Sequence, residues 1–152
     1  MPLKRRFFLD WLPVILWMMF IFIGSTDVLS SAHTSRFLVP FLRWLKPDIS
    51  QAALAKAQFM VRKAGHISEY AILSILLWRA FPRPESSLAS SWYWRGAAVV
   101  LPIVALYAAS DEVHQSFYRS RFASVWDVSL DTIGAAVGLA LVWAVGRWRK
   151  RW

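Results

Sequence analysis

Bulky apolar residues gather in four blocks, at 7–24, 64–81, 96–117 and 125–146, and the residues between them are turn-forming or basic. A hydrocarbon core about 30 Å thick takes roughly 20 helical residues to cross, so each block is near spanning length. The third is uncharged only from 96 to 110 and reaches that length if its helix runs on through Asp111 to Phe117. Backbone N–H and C=O groups left unpaired in lipid are costly, which favours helices for all four. Pro13 and Pro102 lie inside their blocks and predict kinks rather than breaks. The pattern therefore predicts an all-α integral membrane protein: a four-transmembrane-helix bundle in a single domain over 1–152.

The long first connection carries a pattern of its own. "RFLVPFLRWL" at 36–45 mixes bulky apolar groups with Arg36 and Arg43, and Trp44 suits the headgroup zone. Ser50 is placed as an N-cap, with Ile49 and Leu54 as a hydrophobic staple, for a helix through "QAALAKAQFMVRKAGH". The segment at about 36–63 is thus expected to be amphipathic, to lie in the membrane interface and to lead into the second span. "PRPESSLASSWYW" at 82–94 reads as a turn-rich loop ending in an aromatic belt. The N-terminus also has signal-peptide traits, "KRR" at 4–6, an apolar core and "SSA" at 30–32. Bulky Trp17, Met18, Met19 and Phe20 favour a retained first span instead.

Composition narrows the class. With 57% hydrophobic residues, 16% aromatic residues and a mean hydropathy of +0.40, the chain is too apolar for an ordinary soluble domain. The net charge of +9 raises nucleic acid as a partner, but the Lys and Arg residues flank apolar blocks, as membrane anchors do. No nucleic-acid partner is expected. The absence of cysteine excludes disulfides, thiolate metal sites and a Cys nucleophile. With a cytoplasmic N-terminus, ten of the 18 basic residues fall inside, crowded into short tails and a short loop, which predicts both termini cytoplasmic. The tail "GRWRKRW" then reads as an anchor to anionic headgroups.

Alternating the spans maps the polar positions. Span one ends at Ser25, Thr26 and Asp27, and span two begins with Lys63, His66, Glu69 and Tyr70. Span three finishes at Ser110, Asp111, Glu112 and Gln115, and span four starts with Asp127 and Asp131. All fall on one side of the membrane, whichever way up the protein sits. Residues three or four apart share a helix face, which aligns Lys63, His66 and Tyr70, then Asp111 and Gln115, then Asp127 and Asp131. Asp111 and Glu112 are about 100° apart and cannot both point straight into one site.

Ionisable residues inside a membrane are candidates for function. His66 or a carboxylate is placed to act as general acid or base, and Arg119 and Arg121 suit bidentate phosphate contact. The alternative is structural, with Lys63, Arg119 and Arg121 neutralising Glu69, Asp111 and Asp127 as clamps. No HExxH, GxSxG or phosphate-loop motif is present, so no cofactor is expected. A divalent metal on His66, Glu69, Asp111, Glu112 and Asp127 is a lesser option, opposed by the nearby basic residues. His33 reads as an interfacial loop residue, His114 as a supporting or surface residue, and Asp10 as a partner of the inner Arg cluster. Gly134 and Gly138 form a GxxxG suited to close packing within the bundle, with dimerisation the second reading.

His66 with Tyr70, Asp111 with Glu112 and Gln115, a following Arg, and Asp127 with Asp131 and Gly134 together resemble the VanZ-like membrane proteins. The resemblance covers spans two to four and reaches span one at Ser25 and Thr26. The family's Pro-Gly-Arg-like turn is here "YRSR", which puts Arg121 in the Arg position and makes Arg119 extra; Asp131 stands where an Asn is frequent. The resemblance implies a bacterial inner-membrane protein of the cell envelope, related to a glycopeptide-resistance accessory factor linked to teicoplanin. It also implies work on phosphate-containing lipid head groups, either phospholipid or polyprenyl-linked sugar precursors. On that reading the catalytic set is His66, Asp111, Glu112 and Asp127. Lys63, Tyr70, Gln115, Arg119, Arg121, Asp131 and Ser25 bind substrate. Two other readings stand beside it. One is a non-catalytic binder that shields or presents a cell-wall lipid precursor. The other is proton-coupled transport, for which the inner half offers only Asp10.

Overall fold

In the computed structural model, residues 3–26, 31–81, 92–118 and 124–150 are described, with the side chains of 3–6 and 31–34 left aside. The elements among them are five helices: α1 (Leu3–Gly24), α2 (Ser31–Leu45), α3 (Gln51–Ala80), α4 (Trp94–Gln115) and α5 (Val125–Trp148). Among the described residues there is no strand.

Helix α3 begins where its cap dictates. Ser50 has extended backbone, and its hydroxyl accepts from Ala53 N at 3.2 Å, satisfying one of the first-turn donors. Leu54 in that first turn is buried. No proline follows before the helix ends at Ala80, so the helix that opens the connection and the span expected at 64–81 form one continuous rod. The segment expected at 36–63 is accordingly divided. Its first part is α2, which turns Phe37, Phe41, Trp44 and Leu45 outward at helical spacing, and its second is the first turns of α3. The helix expected over 96–117 runs from Trp94 to Gln115, and a turn follows in which Ser116 N reaches back to Glu112 O.

Phe7–Gly24, Trp94–Gln115 and Val125–Trp148 are long and apolar enough to cross a membrane. Phe20 and Ile23 on α1, Leu106 on α4, and Ile133 and Leu141 on α5 are exposed, an apolar surface that fits a protein surrounded by lipid. Composition does not add α3 to these three spans, because Lys63, His66, Glu69 and Arg79 interrupt its apolar residues.

Packing nevertheless makes α3 the centre. It touches each of the other four helices, most extensively α5. The core joins Val14 and Ile21 of α1 to Tyr70, Leu73 and Leu77 of α3, Val100 and Val104 of α4, and Ala135 and Leu139 of α5. The crossing of α3 and α5 is set by Gly134 and Gly138. A Cβ on Gly134 would lie 2.6 Å from Ile67 O, and one on Gly138 would lie 2.5 Å from Ser74 Oγ and collide with Ala71 O. Ser74 sits in this seam, with its hydroxyl donating to Ala71 O at 2.8 Å and across to Ala135 O at 2.9 Å. The GxxxG is used within the bundle, where small residues let two backbones approach.

Helix directions follow from the contacts at the two ends. Ser25, just after α1, meets Asp111 near the end of α4, while Lys63 in α3 meets Asp127 at the start of α5. At the opposite end, Arg79 Nη2 donates to Leu9 O at 3.4 Å, and the rings of Trp11 and Phe81 stand edge to face 5.6 Å apart. Helices α1 and α4 therefore run one way and α3 and α5 the other.

Candidate functional site

The antiparallel arrangement brings polar residues far apart in sequence to one end of the bundle. Asp111 is the focus. It is 2% exposed, and its Oδ2 accepts from Ser25 Oγ at 2.7 Å, from Gln115 Nε2 at 2.9 Å and from Tyr70 OH at 3.3 Å. Gln115 Nε2 also lies 3.3 Å from Ser25 Oγ. The end of α1, the middle of α3 and the last turn of α4 thus meet on one carboxylate oxygen. Residue spacing explains the local part, since Asp111 and Gln115 stack one turn apart on α4.

A second group lies between α3 and α5. Lys63 Nζ pairs with Asp127 Oδ1, both residues being less than one fifth exposed. One turn along each helix, His66 Nδ1 stands 3.3 Å from Asp131 Oδ1, an ion-pair separation that is not aligned as a hydrogen bond. The spacings of three on α3 and four on α5 place the two pairs as successive rungs. Glu112 points away from Asp111, as adjacent helical positions require, and its Oε2 accepts from Ser124 N at 2.8 Å. Asp111, Glu112, Asp127, Asp131 and His66 lie close enough to feel one another's charge.

Among the described residues, four carboxylates, Asp111, Glu112, Asp127 and Asp131, gather at this end with Lys63 and His66. Among the described residues, Asp111 Oδ1, Glu112 Oε1 and Asp131 Oδ2 are buried without a hydrogen-bond donor, and Asp131 Oδ1 has the His66 ring beside it. A buried polar atom left unpaired costs about 1–3 kcal/mol, so three acceptors of this kind at one end of a bundle are expensive for folding. Such concentrations of cost are what ligand sites retain. Among the described residues, no three His, Asp or Glu side chains converge as a metal ion would require.

The structure thus brings together Ser25, Lys63, His66, Tyr70, Asp111, Glu112, Gln115, Asp127 and Asp131 at one end. Arg119 and Arg121, as well as Asp27 and the side chain of His33, lie outside the described residues. The clamp expected of Lys63 is made, to Asp127.

Several supporting residues carry no motif. Tyr107, one turn before Asp111, donates from its hydroxyl to Met18 O at 2.6 Å and ties α4 to α1. Trp17 Nε1 donates to Glu69 O at 2.9 Å, tying α1 to α3 below the site. His114 stacks on Phe22 with ring centroids 3.8 Å apart, and its Nε2 is 3.4 Å from Tyr118 OH. Two of these leave a sequence signal: His114, read above as a supporting or surface residue, and Tyr107, four residues before Asp111.

No curated protein and no solved structure matches the chain. The family model described as VanZ/LLP1, however, matches residues 8–146, nearly the whole chain and every helix of the site, and the chain belongs to the VanZ/LLP1 family.

Proposed function

We propose that this protein is a four-span inner-membrane protein whose polar end takes the head group of a phosphate-containing lipid and acts on its phosphate linkage. The observation that carries the reading is the buried Asp111 carboxylate, held by donors from α3, α4 and the end of α1 and flanked by further buried acceptors that lack donors among the described residues. A head group rich in hydroxyl or ammonium donors satisfies those acceptors. Packing supports α3 as the fourth span: it lies along α1, α4 and α5, and its 30 residues are about 45 Å long, enough to cross with its polar first turns at the surface. The crowding of basic residues in the tails favours both termini in the cytoplasm, which turns the polar end to the outer leaflet. There α2, with Phe37, Phe41 and Trp44 outward and Arg36 and Arg43 beside them, suits the interface.

In this reading His66 moves the proton, Asp131 orients the imidazole, and Asp111 positions the attacking group, while Glu112 holds the start of α5 through Ser124 N. Asp127 holds Lys63, and Lys63 meets phosphate, the role that the sequence pattern also gives to Arg119 and Arg121. One observation favours the non-catalytic alternative: Lys63 and His66 already face carboxylates of the fold, as expected of a site that holds a lipid precursor without converting it.

Purified protein in nanodiscs, supplied with labelled phospholipids and polyprenyl-phosphate precursors, separates the two. Head-group change abolished by His66→Ala and Asp111→Asn, in variants that still fold, supports the enzyme. Saturable binding without product supports the binder. Neither binding nor turnover with any phosphate-bearing lipid refutes both.

A further inference from the structure

An apolar groove of about 220 Å³ runs along the seam between α1 and α4, lined by Met18, Met19, Phe22, Ile23 and Tyr107. Its position relative to the polar site is fixed by the two helices that build both. Tyr107 is one turn before Asp111 on α4, and Phe22 and Ile23 come just before Ser25 on α1. Met18 lies seven residues before Ser25, about 10 Å down the helix. The groove therefore starts next to the Ser25 and Asp111 pair and continues toward mid-span on helices apolar enough to cross a membrane. The junction is built: the Phe22 ring is stacked on His114, and the Tyr107 hydroxyl is bonded to Met18 O, so both walls are tied across the seam.

We propose that this groove holds a segment of the hydrocarbon chain of the same lipid whose head group enters the polar site, so that the ligand is recognised as an amphiphile, head and tail together. This rests on the head-group reading above. Size supports a chain segment rather than a second head group. Whole drug-sized ligands take about 300–1,000 Å³, whereas an apolar cavity of about 150 Å³ accepts a benzene-sized hydrocarbon. Chemistry agrees, for the lining offers no charge, and the one hydroxyl in it is already donated to the backbone. Two flexible thioethers in the wall adapt to chains of different shape. In a bilayer the gain over neighbouring lipid comes from packing alone, so preference rather than tight capture is the expected behaviour.

The test uses the full-length protein in nanodiscs of phosphatidylethanolamine and phosphatidylglycerol, doped with phosphatidylglycerol that carries a diazirine in one acyl chain. After irradiation, adducts are mapped by mass spectrometry. Labelling at the groove residues is expected to exceed that at the exposed Ile133 and Leu141 of α5 by roughly fivefold, equivalent to about 1 kcal/mol of preference. Filling the groove with Met19→Trp and Ile23→Phe, both half-exposed positions, is expected to bring it down to the α5 level while the thermal unfolding of the protein stays unchanged. Even labelling over all lipid-facing residues overturns the proposal, as does groove labelling that survives the filling pair. Asp111→Asn separates this inference from the reading on which it rests. Reduced groove labelling in that variant ties chain to head group; full labelling there overturns the shared-lipid inference, whatever the head-group assay shows. Conversely, if the head-group assay fails while wild-type groove labelling stays enriched, the site reading falls and the groove remains as a hydrocarbon site.

Discussion

Gly138→Ala adds one methyl group where α3 and α5 are closest, and the new Cβ would stand 2.8 Å from Ala71 Cα, 2.5 Å from Ser74 Oγ and against Ala71 O. Two of these atoms are backbone, so relief requires the helices to separate rather than a side chain to turn. Overpacking of this kind costs about 1–3 kcal/mol, while replacing Gly by Ala inside a helix returns up to about 1 kcal/mol. Separation also stretches the Ser74 bond to Ala135 O, which contributes about 0.6 kcal/mol if it is typical of bonds between membrane helices. The expected net loss is about 1–2 kcal/mol. Gly65→Ala is the internal control: nothing lies within 4 Å of its Cβ position, so the same chemical change should be neutral or stabilising by up to about 1 kcal/mol. Unfolding in mixed micelles of increasing SDS fraction, followed by the fluorescence of the ten Trp residues, reads both. A Gly138→Ala protein as stable as the wild type, or equal shifts at the two glycines, would refute the close-crossing account. Gly134→Ala carries the consequence to the site. Its Cβ meets Ile67, the neighbour of His66, and pushing α3 from α5 there separates His66 from Asp131. It is expected to weaken lipid binding as well as stability.

Other parts of the fold give smaller, separable effects. Lys63→Ala should cost about 1–3 kcal/mol, between an exposed and a fully buried ion pair, because it leaves Asp127 unpaired; adding Asp127→Ala should recover part of that, and a double-mutant cycle with no coupling would refute the pair. Tyr107→Phe removes the tie to Met18 O at a cost of about 0.6–1 kcal/mol in the same SDS titration, and an unchanged midpoint would count against that hydrogen bond. Ser50→Ala should cost about 1 kcal/mol and fray the start of α3, measured as faster amide exchange over its first turn with the polar end undisturbed.

What the sequence disclosed and what it hid divide along physical lines. Helix existence was readable because apolar blocks of near-spanning length admit little else, and the Ser50 cap was readable because capping is local chemistry. The gathering of Ser25, Lys63, His66, Tyr70, Asp111 and Asp127 was readable from alternation alone, since the ends of antiparallel rods fall on predictable sides. Pairing was not. Nothing in the spacing says that Lys63 takes Asp127 and His66 takes Asp131, because that depends on how far α5 is rotated about its axis, and the rotation is set by Gly134 and Gly138 against Ile67 and Ala71. Helix boundaries slipped for a related reason. The junction between the interfacial segment and the second span was placed where hydropathy changes, but a helix ends where its hydrogen bonds end, and no breaker interrupts Gln51–Ala80.

The lower apolar character of α3 beside α1, α4 and α5 and the gathering of polar residues at one end have one cause. Lys63, His66 and Glu69 lower the apolar character of α3, and two of them are rungs of the polar site. A helix with such residues on its surface would be a poor neighbour for lipid; at the centre of the bundle, touching every other helix, it turns Lys63 and His66 to α5 instead. The three more apolar helices α1, α4 and α5 then serve as the wall that lets α3 be polar. The arrangement requires the wall to stay close. The small residues are spent at the α3–α5 contact, where the two ion-pair rungs lie, and the seam that keeps an open apolar groove is the one between α1 and α4, which is pinned by Tyr107 and by His114 on Phe22 rather than by close backbone approach. One seam is drawn close at the glycines beside the two charge pairs, and the other is left wide enough to admit a chain from the bilayer.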